Sequence, residues 1–157
     1  MTGKGHRWTG VGSALFGAAL ARIFGLPEIL TAAVAAATTT APDWLEVPFY
    51  RNGARAGQLI AHRTLTHWPV LWAAVTAFGV HEGGLPGAVM VGFAMGAFTH
   101  ILGDAPNPMG IPWLLPHRRV RLGKKGWWRS GEKEIIMSLT YATLGYIAWA
   151  LSGGRIS

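Results

Sequence analysis

The sequence predicts an all-α, polytopic membrane protein with about five membrane-embedded helices in a single domain, residues 1–157. Half of the residues are hydrophobic and only 13% are charged, whereas a typical soluble domain has about 25% charged residues. The chain also has 8 Trp and 22 Gly, which are typical of helices that pack closely in lipid and are anchored at its interfaces. A soluble helical bundle is the alternative, but the apolar stretches lack the regular polar face that its helices need.

Five apolar stretches predict the helices. In chain order they are Val11–Leu26, Glu28–Ala41, Trp68–Val80, Leu85–Gly103 and Glu134–Leu151. The last two have about 18 residues, the length at which a helix begins to span a bilayer core. The first contains Arg22, whose long side chain could reach an interface. The second and third are shorter, so they fit buried or re-entrant helices as well as spans.

The distribution of basic residues predicts an orientation. If every apolar stretch crosses the membrane, the N-terminus and the loops Pro42–Thr64 and Ala105–Lys133 lie on one side. That side then has 12 of the 14 Lys and Arg residues, namely Lys4, Arg7, Arg51, Arg55, Arg63, Arg118, Arg119, Arg121, Lys124, Lys125, Arg129 and Lys133. The positive-inside rule places this side, with the N-terminus, in the cytoplasm.

Histidines and carboxylates are concentrated on the same side. His100 and Asp104 have the i,i+4 spacing that puts two side chains on one helix face. Gly92 and Gly96 continue that face and would let a neighbouring helix approach closely. Polar groups at membrane depth are costly unless they are paired or bound to metal. A hydrogen-bonded helix end remains the alternative interpretation of this pair.

Two other segments supply similar groups. His62 and His67 are five residues apart and can converge if His62 precedes the helix. Otherwise one of them is a ligand and the other a proton carrier, or both are surface residues. Asp43 and Glu46 follow a predicted helix, where they could bind a cation or orient a histidine or form a solvated turn.

Together these groups predict a divalent metal site. Its predicted ligands are His62, His67, His100, Asp104, Asp43 and His6. The chain has no Cys, which excludes thiolate ligands. Mixed nitrogen and oxygen ligands suit Zn²⁺ or Mn²⁺ better than Ca²⁺, and their number allows one or two ions.

The last loop is strongly basic and contains two tryptophans. Its basic residues include Arg118, Arg119, Arg121, Lys124 and Lys125. They are interpreted either as a topology signal with an aromatic anchor or as a site for an anionic lipid. Nucleic acid is disfavoured as a partner, because the interfacial position already explains the tryptophans.

Short motifs occur along the chain in a specific order: Gly5-His6, Pro42-Asp43, His62-Arg63-Thr64-Leu65-Thr66-His67, Thr99-His100-Ile101-Leu102-Gly103-Asp104, Asn107-Pro108-Met109-Gly110-Ile111-Pro112, Leu115-Pro116 and Glu134. Over roughly residues 3–140 this order resembles the YdjM-type family of bacterial inner-membrane proteins, which are usually described as metal-dependent hydrolases. Two departures are Leu45, where the family has a second Asp, and Asn107, where it has Thr.

The resemblance implies an inner-membrane, metal-dependent hydrolase. Either Glu134 or Glu46 is then expected to be a general base or to orient a ligand. The location makes membrane lipids the expected partners, and a lipid or phosphoester the expected substrate. A non-enzymatic scaffold or assembly subunit, monomeric or oligomeric, is an alternative. A metal or proton transporter is disfavoured because the polar residues stop at one side, and the other side offers only His81, Glu82 and Glu28 among the histidines and carboxylates.

Overall fold

The computed structural model describes residues 1–121 and 129–154 and is mostly helical. Its elements are α1 (Gly3–Trp8), α2 (Gly10–Phe24), α3 (Glu28–Ala37), α4 (Ala41–Trp44), β1 (Pro48–Arg51), β2 (Ala54–Gln58), a 3₁₀ turn (Leu65–His67), α5 (Pro69–Glu82), α6 (Gly84–Asp104), β3 (Ile111–Pro112), β4 (Arg119–Val120) and α7 (Glu134–Leu151). Each of the five apolar stretches forms a helix, which confirms those predictions. The largest difference is at α3, which ends at Ala37 rather than Ala41.

Two of the helices in the described ranges are long and apolar enough to cross a membrane. They are α6, with 21 residues, and α7, with 18. At a rise of about 1.5 Å per residue, α6 is about 31 Å long, which matches a hydrocarbon core of about 30 Å. By contrast, α2 has 15 residues and α3 has 10. The structure therefore supports two candidate spans, and the predicted count of five membrane-embedded helices is not supported.

The five long helices run up and down between the same two ends of the bundle. We call one the histidine end, defined by His6, His67 and His100, and the other the opposite end. At the histidine end α3 and α6 finish, while α2, α5 and α7 begin. The described parts of the connections, 38–68, 105–121 and 129–133, therefore lie at the histidine end.

Close packing of α3 on α6 positions the polar residues of the histidine end. A Cβ atom at Gly92 would lie 2.6 Å from the carbonyl oxygen of Thr31, and one at Gly96 would lie 2.9 Å from that of Ala35. These distances leave no room for a side chain, which confirms the predicted close approach at both glycines. Because α3 leads directly into α4, the same contact brings Asp43 of α4 towards the C-terminal turn of α6.

Two short antiparallel hairpins depart from the all-α prediction. The first pairs β1 with β2 through Asn52-Gly53, whose φ angles of 52° and 75° suit the tight turns that connect hairpin strands. The Asn-Gly pair predicts such a hairpin from the sequence alone, but a search for apolar helix periodicity does not detect it. The second hairpin pairs Ile111 with Val120 and holds the basic loop against the histidine end.

Candidate metal centre

Four acceptor atoms from distant parts of the chain lie close together at the histidine end. The Nε2 atoms of His67 and His100 are 3.2 Å apart. Each lies 3.5 Å from Oδ1 of Asp43 and 3.8 Å from Oδ2 of Asp104. We call these four residues the acceptor cage.

The spacing of these atoms fits a small divalent cation. Ligand atoms about 2.1 Å from a tetrahedral zinc ion are about 3.4 Å from one another. The five distances that involve an imidazole nitrogen, 3.2 to 3.8 Å, lie around that value. Two imidazole nitrogens and two carboxylate oxygens are also a donor set that zinc and manganese accept.

Neighbouring oxygens orient both imidazoles towards the cage. Nδ1 of His100 lies 2.8 Å from the carbonyl oxygen of Thr39. A carbonyl only accepts, so Nδ1 donates its proton there and Nε2 presents a lone pair to the cage. Nδ1 of His67 lies 3.2 Å from Oγ1 of Thr66 and 3.4 Å from Oε1 of Glu46. An oxygen acceptor on the far nitrogen is the usual arrangement for a metal-bound histidine.

The charges of the cage are those that a cation requires. Burial lowers the pKa of His67, so this ring is neutral near pH 7. With Nδ1 of each ring donating to an oxygen, Nε2 of His67 and Nε2 of His100 direct their lone pairs towards the region of the Asp43 carboxylate.

Arg63 is a site residue to which sequence reasoning gave no role. Its buried guanidinium places NH2 2.6 Å from Oδ2 of Asp104, and NH1 donates to the carbonyl of Gly110 at 3.4 Å. Its backbone N–H donates to Oε1 of Glu46 at 3.0 Å. The φ angle of Arg63 is 55°, a left-handed conformation that costs about 1 kcal/mol or more for a residue with a side chain. The available signal was its place beside His62 in a motif rich in histidine.

Glu46 and His62 form a pair next to the cage. The buried carboxylate of Glu46 accepts hydrogen bonds from Nδ1 of His62 and Nε2 of Gln58, each at 2.8 Å. The imidazole of His62 is 42% exposed, and its Nε2 has no hydrogen-bond partner in the part of the chain that the structure describes. A cavity of about 550 Å³ opens here, lined by Asp43, Glu46, Gln58 and His62.

The structure also brings His6 to the cage, on the other side of Asp104. The His6 ring stacks on that of His100 with centroids 3.7 Å apart, and its Nε2 lies 3.3 Å from Oδ1 of Asp104. The amino nitrogen of Met1 contacts the same oxygen. Burial lowers the pKa of His6 to about 4, so the ring is neutral, and its buried Nδ1 has no partner among the described residues.

Glu134 lies elsewhere at the histidine end. Its carboxylate accepts hydrogen bonds from the backbone N–H and the hydroxyl of Thr2 and from the N–H of Gly131. Within residues 1–121 and 129–154 it makes no hydrogen bond or ion pair with the cage. These contacts fasten the start of α7 to α1, so the geometry favours a structural role for Glu134 over that of a base.

The basic loop passes beside the mouth of the cavity. Arg118, Arg119 and Arg121 are exposed, and NH2 of Arg119 donates to the carbonyl of His62 at 2.6 Å. Lys124 and Lys125, which were predicted to join them, lie outside the described residues.

Comparison with known proteins places the chain in a family. A family model described as YdjM inner membrane protein matches residues 1–155. The chain belongs to this family. No curated protein and no solved structure matches it. Family membership, together with the two long apolar helices, identifies this YdjM-family member as an inner membrane protein.

The six ligands predicted for this YdjM-family protein fall into two groups in the structure. Four of them form the acceptor cage. The other two flank it: His6 lies against Asp104, and His62 lies against Glu46 at the cavity. In each of two sets of residues, the ligand atoms lie within 4.8 Å of one another: Asp43, Glu46, His62 and His67, and His6, His100 and Asp104. The geometry is therefore compatible both with different roles for His62 and His67 and with two ions that use all six residues.

Proposed function

We propose that this YdjM-family protein is a metal-dependent hydrolase whose cation is held by the acceptor cage. The observation that carries the proposal is the set of ligand atoms in the cage. With Nδ1 of each ring donating to an oxygen, two imidazole lone pairs face each other at 3.2 Å, beside the carboxylate oxygens of Asp43 and Asp104. Arg63 compensates the charge of Asp104, but no Lys, Arg or amino group of the described residues pairs with Asp43. The facing lone pairs are unfavourable in a buried place unless a cation lies between them. A divalent cation bound there would polarise an ester or phosphoester oxygen and make water a better nucleophile near neutral pH.

An opening on one side of the cage supports catalysis over a purely structural ion. His67, His100 and Asp104 are almost fully buried, whereas the side chain of Asp43 is 44% exposed. Asp43 also lines the cavity of about 550 Å³. Catalytic metal sites keep one position open to substrate, whereas structural sites are closed.

His62 is well placed to transfer protons at this opening. Glu46 holds the Nδ1 proton, so the exposed Nε2 is free to accept a proton from a nucleophile and to return it to a leaving group. Glu46 itself is surrounded by donors, including Gln58 and the backbone of Arg63. We therefore assign proton transfer to His62 and the positioning of its ring to Glu46.

The two candidate spans suffice to propose an orientation. The segment between α6 and α7 contains seven Lys and Arg residues, namely Arg118, Arg119, Arg121, Lys124, Lys125, Arg129 and Lys133. The positive-inside rule then favours a cytoplasmic histidine end, with the cavity opening at the inner surface of the membrane.

Elemental analysis of detergent-purified protein tests the metal site. We expect about one equivalent of zinc or manganese in the wild type and in His117→Ala, an exposed histidine of the basic loop. Both His100→Ala and the milder Asp43→Asn should lose most of it. Size-exclusion profiles would identify a variant that has failed to fold. A metal-free wild type after reconstitution, or full metal content in folded His100→Ala, would contradict the proposal.

Turnover of soluble chromogenic substrates tests the chemistry. Against p-nitrophenyl esters, phosphomonoesters and phosphodiesters, His62→Gln should keep its metal but lose activity by about 10²-fold or more. The same assay should leave His117→Ala unchanged. A metal-loaded wild type that hydrolyses none of these compounds would instead favour the non-enzymatic scaffold, with the cage as a structural metal site.

A further inference from the structure

An apolar trough runs along the side of the bundle and ends at the basic loop. Three cavities of about 530, 200 and 520 Å³ adjoin one another. The first two share Ala73 and Phe98, and the last two share Trp113 and Leu114. The trough therefore extends from α5 and α6 to the loop that connects α6 with β4.

The trough is lined by groups that do not require a polar ligand. Along α5 it is bordered by Pro69, Val70, Ala73, Ala77 and Val80. Thr76, its one polar residue on α5, donates its hydroxyl to the carbonyl of Trp72 in the same helix at 2.9 Å. An occupant that forms hydrogen bonds, such as a peptide backbone, would lose them here, whereas a hydrocarbon chain would not.

The trough follows most of α5. Residues Pro69 to Val80 cover about 16 Å of helix at about 1.5 Å per residue, and Phe24, the last residue of α2, lines the far cavity. The trough therefore extends from the histidine end to the opposite end of the bundle, and one acyl chain can lie along it.

Positive charge is placed where the headgroup of such a lipid would lie. The cavity at the histidine end of the trough is lined by Trp113, Leu114 and Leu115 and then by Arg118 and Arg119. Exposed apolar residues followed by arginines are typical of an interfacial site for an anionic lipid. Arginine also binds phosphate oxygens in pairs, through its planar fork.

We infer that an anionic phospholipid binds with one acyl chain in this trough and its phosphate at Arg118 and Arg119, and that it is the substrate class of the site. The inference rests on the proposed hydrolase function. Arg119 contacts the backbone of His62, which brings the ester bonds of the headgroup region to the cavity mouth. Hydrolysis there would break one ester bond, with the hydroxyl of water going to the acyl or phosphoryl group and its proton to the departing alcohol.

Native mass spectrometry of the detergent-solubilised protein tests lipid binding without turnover. The measurements use the His62→Gln background, so that lipid retention is read separately from hydrolysis. The probes are dioleoylphosphatidylglycerol, dioleoylphosphatidylcholine with the same chains, and glycerol phosphate without chains. We expect the phosphatidylglycerol to be retained at least about tenfold better than either of the others, a difference of about 1.4 kcal/mol.

Two substitutions test the headgroup contact and the acyl-chain trough separately. Arg118→Gln leaves the contact between Arg119 and His62 in place and should remove most of the preference for phosphatidylglycerol. Ala73→Phe fills the trough and should weaken binding of both diacyl lipids. Arg7→Gln is the matched control, because Arg7 borders another apolar groove, between α1 and α7, and should change nothing.

The outcomes separate this inference from the proposed function. Equal retention of both diacyl lipids, or no effect of Arg118→Gln and Ala73→Phe, would overturn the lipid site even if the protein hydrolyses soluble esters. Retention of glycerol phosphate as strong as that of the lipid would show an anion site without a chain site, which also overturns the inference. Specific retention of the lipid without any hydrolysis of lipids or soluble esters by the wild type would sustain the lipid site, but it would overturn both the hydrolase and the assignment of the lipid as its substrate.

Discussion

Both ends of the bundle contain a cluster of charged residues, but the donors and acceptors are balanced in only one of the two clusters. At the opposite end, Nε of Arg22 lies 2.8 Å from Oε2 of Glu28, and Nε1 of Trp149 donates to Oε1 of the same carboxylate at 2.8 Å. Arg22 also donates to the carbonyl of Gly153 and lies over the Trp149 ring. Every charged group here has a partner of the complementary kind.

The acceptor cage of the histidine end lacks that balance. Its nitrogens and carboxylate oxygens face one another. Among the described residues, the guanidinium of Arg63 and the amino group of Met1 pair with Asp104, whereas the partners of Asp43 are the two imidazoles. In the cluster at the opposite end, donors and acceptors match, so its structural role as a clamp between α2, α3 and α7 is enough to account for it. The surplus acceptors of the cage are the reason for proposing a cation there. On that proposal, the balance of donors and acceptors, rather than the number of charged residues, is what distinguishes the two clusters.

Removing Arg63 should have the largest effect on stability. In Arg63→Met the buried carboxylate of Asp104 loses its guanidinium, and breaking a buried pair in this way costs about 3–5 kcal/mol. Excess zinc should restore part of the loss, because the cation would then compensate for the same carboxylate. The measurement is thermal unfolding in detergent with and without zinc.

The equivalent change at the opposite end is the control for Arg63→Met. Arg22 and Glu28 are 32% and 30% exposed, so Arg22→Met should cost about 1 kcal/mol or less and should respond to zinc like the wild type. A comparable loss in both variants, or none in Arg63→Met, would mean that the two clusters do not differ as described.

Zinc itself should stabilise the wild type by an intermediate amount. A ligand that binds only the folded state at 100 times its Kd adds about 2.7 kcal/mol to the free energy of unfolding. The increase in Tm should disappear in Asp104→Asn and persist in Glu28→Gln, which changes a carboxylate at the opposite end. An undiminished response in folded Asp104→Asn would place the ion outside the cage.

A smaller effect is expected from Thr66, which touches the cage from outside. Thr66→Val removes a hydroxyl 3.2 Å from Nδ1 of His67 and 3.4 Å from Glu46. Loss of such an orienting group should weaken zinc binding by about tenfold and stability by about 1 kcal/mol. Thr76→Val, in the middle of α5, should leave zinc affinity unchanged in isothermal titration. Equal affinities in both variants would show that Thr66 does not orient His67.

Sequence patterns predicted the parts of this site that follow from helix geometry. Four residues of separation on one helix put His100 and Asp104 on one face, and Gly92 and Gly96 allowed the approach of α3. The apolar stretches predicted the five helices because long runs of apolar residues are typical of helices that are buried either in the protein, as for α6, or in lipid, as expected for the mostly exposed α7. Composition alone could not show whether Glu28–Ala41 crosses the membrane. The helix there stops after 10 residues, which is too short to span a bilayer core.

The remaining parts depend on tertiary contacts that leave no pattern in the sequence. The carbonyl that orients His100 belongs to the backbone of Thr39, and any residue there would provide one. The inward guanidinium of Arg63 follows from a left-handed φ that its residue type does not predict. The sequence could not distinguish a structural role for Glu134 from that of a general base, because its hydrogen-bond partner, Thr2, is 132 positions away in the chain.

The smallest effect should come from the closed cluster of the opposite end. Trp149→Phe keeps the ring near Arg22 but removes the hydrogen bond to Glu28. Because Arg22 still pairs with this partly exposed carboxylate, the cost should be about 1 kcal/mol or less. Tyr146→Phe, one turn earlier in α7, is the matched control. Zinc affinity should equal that of the wild type in both variants. A loss of zinc in Trp149→Phe would show that the two ends are coupled, and their separation into a clamp and a site would then fail.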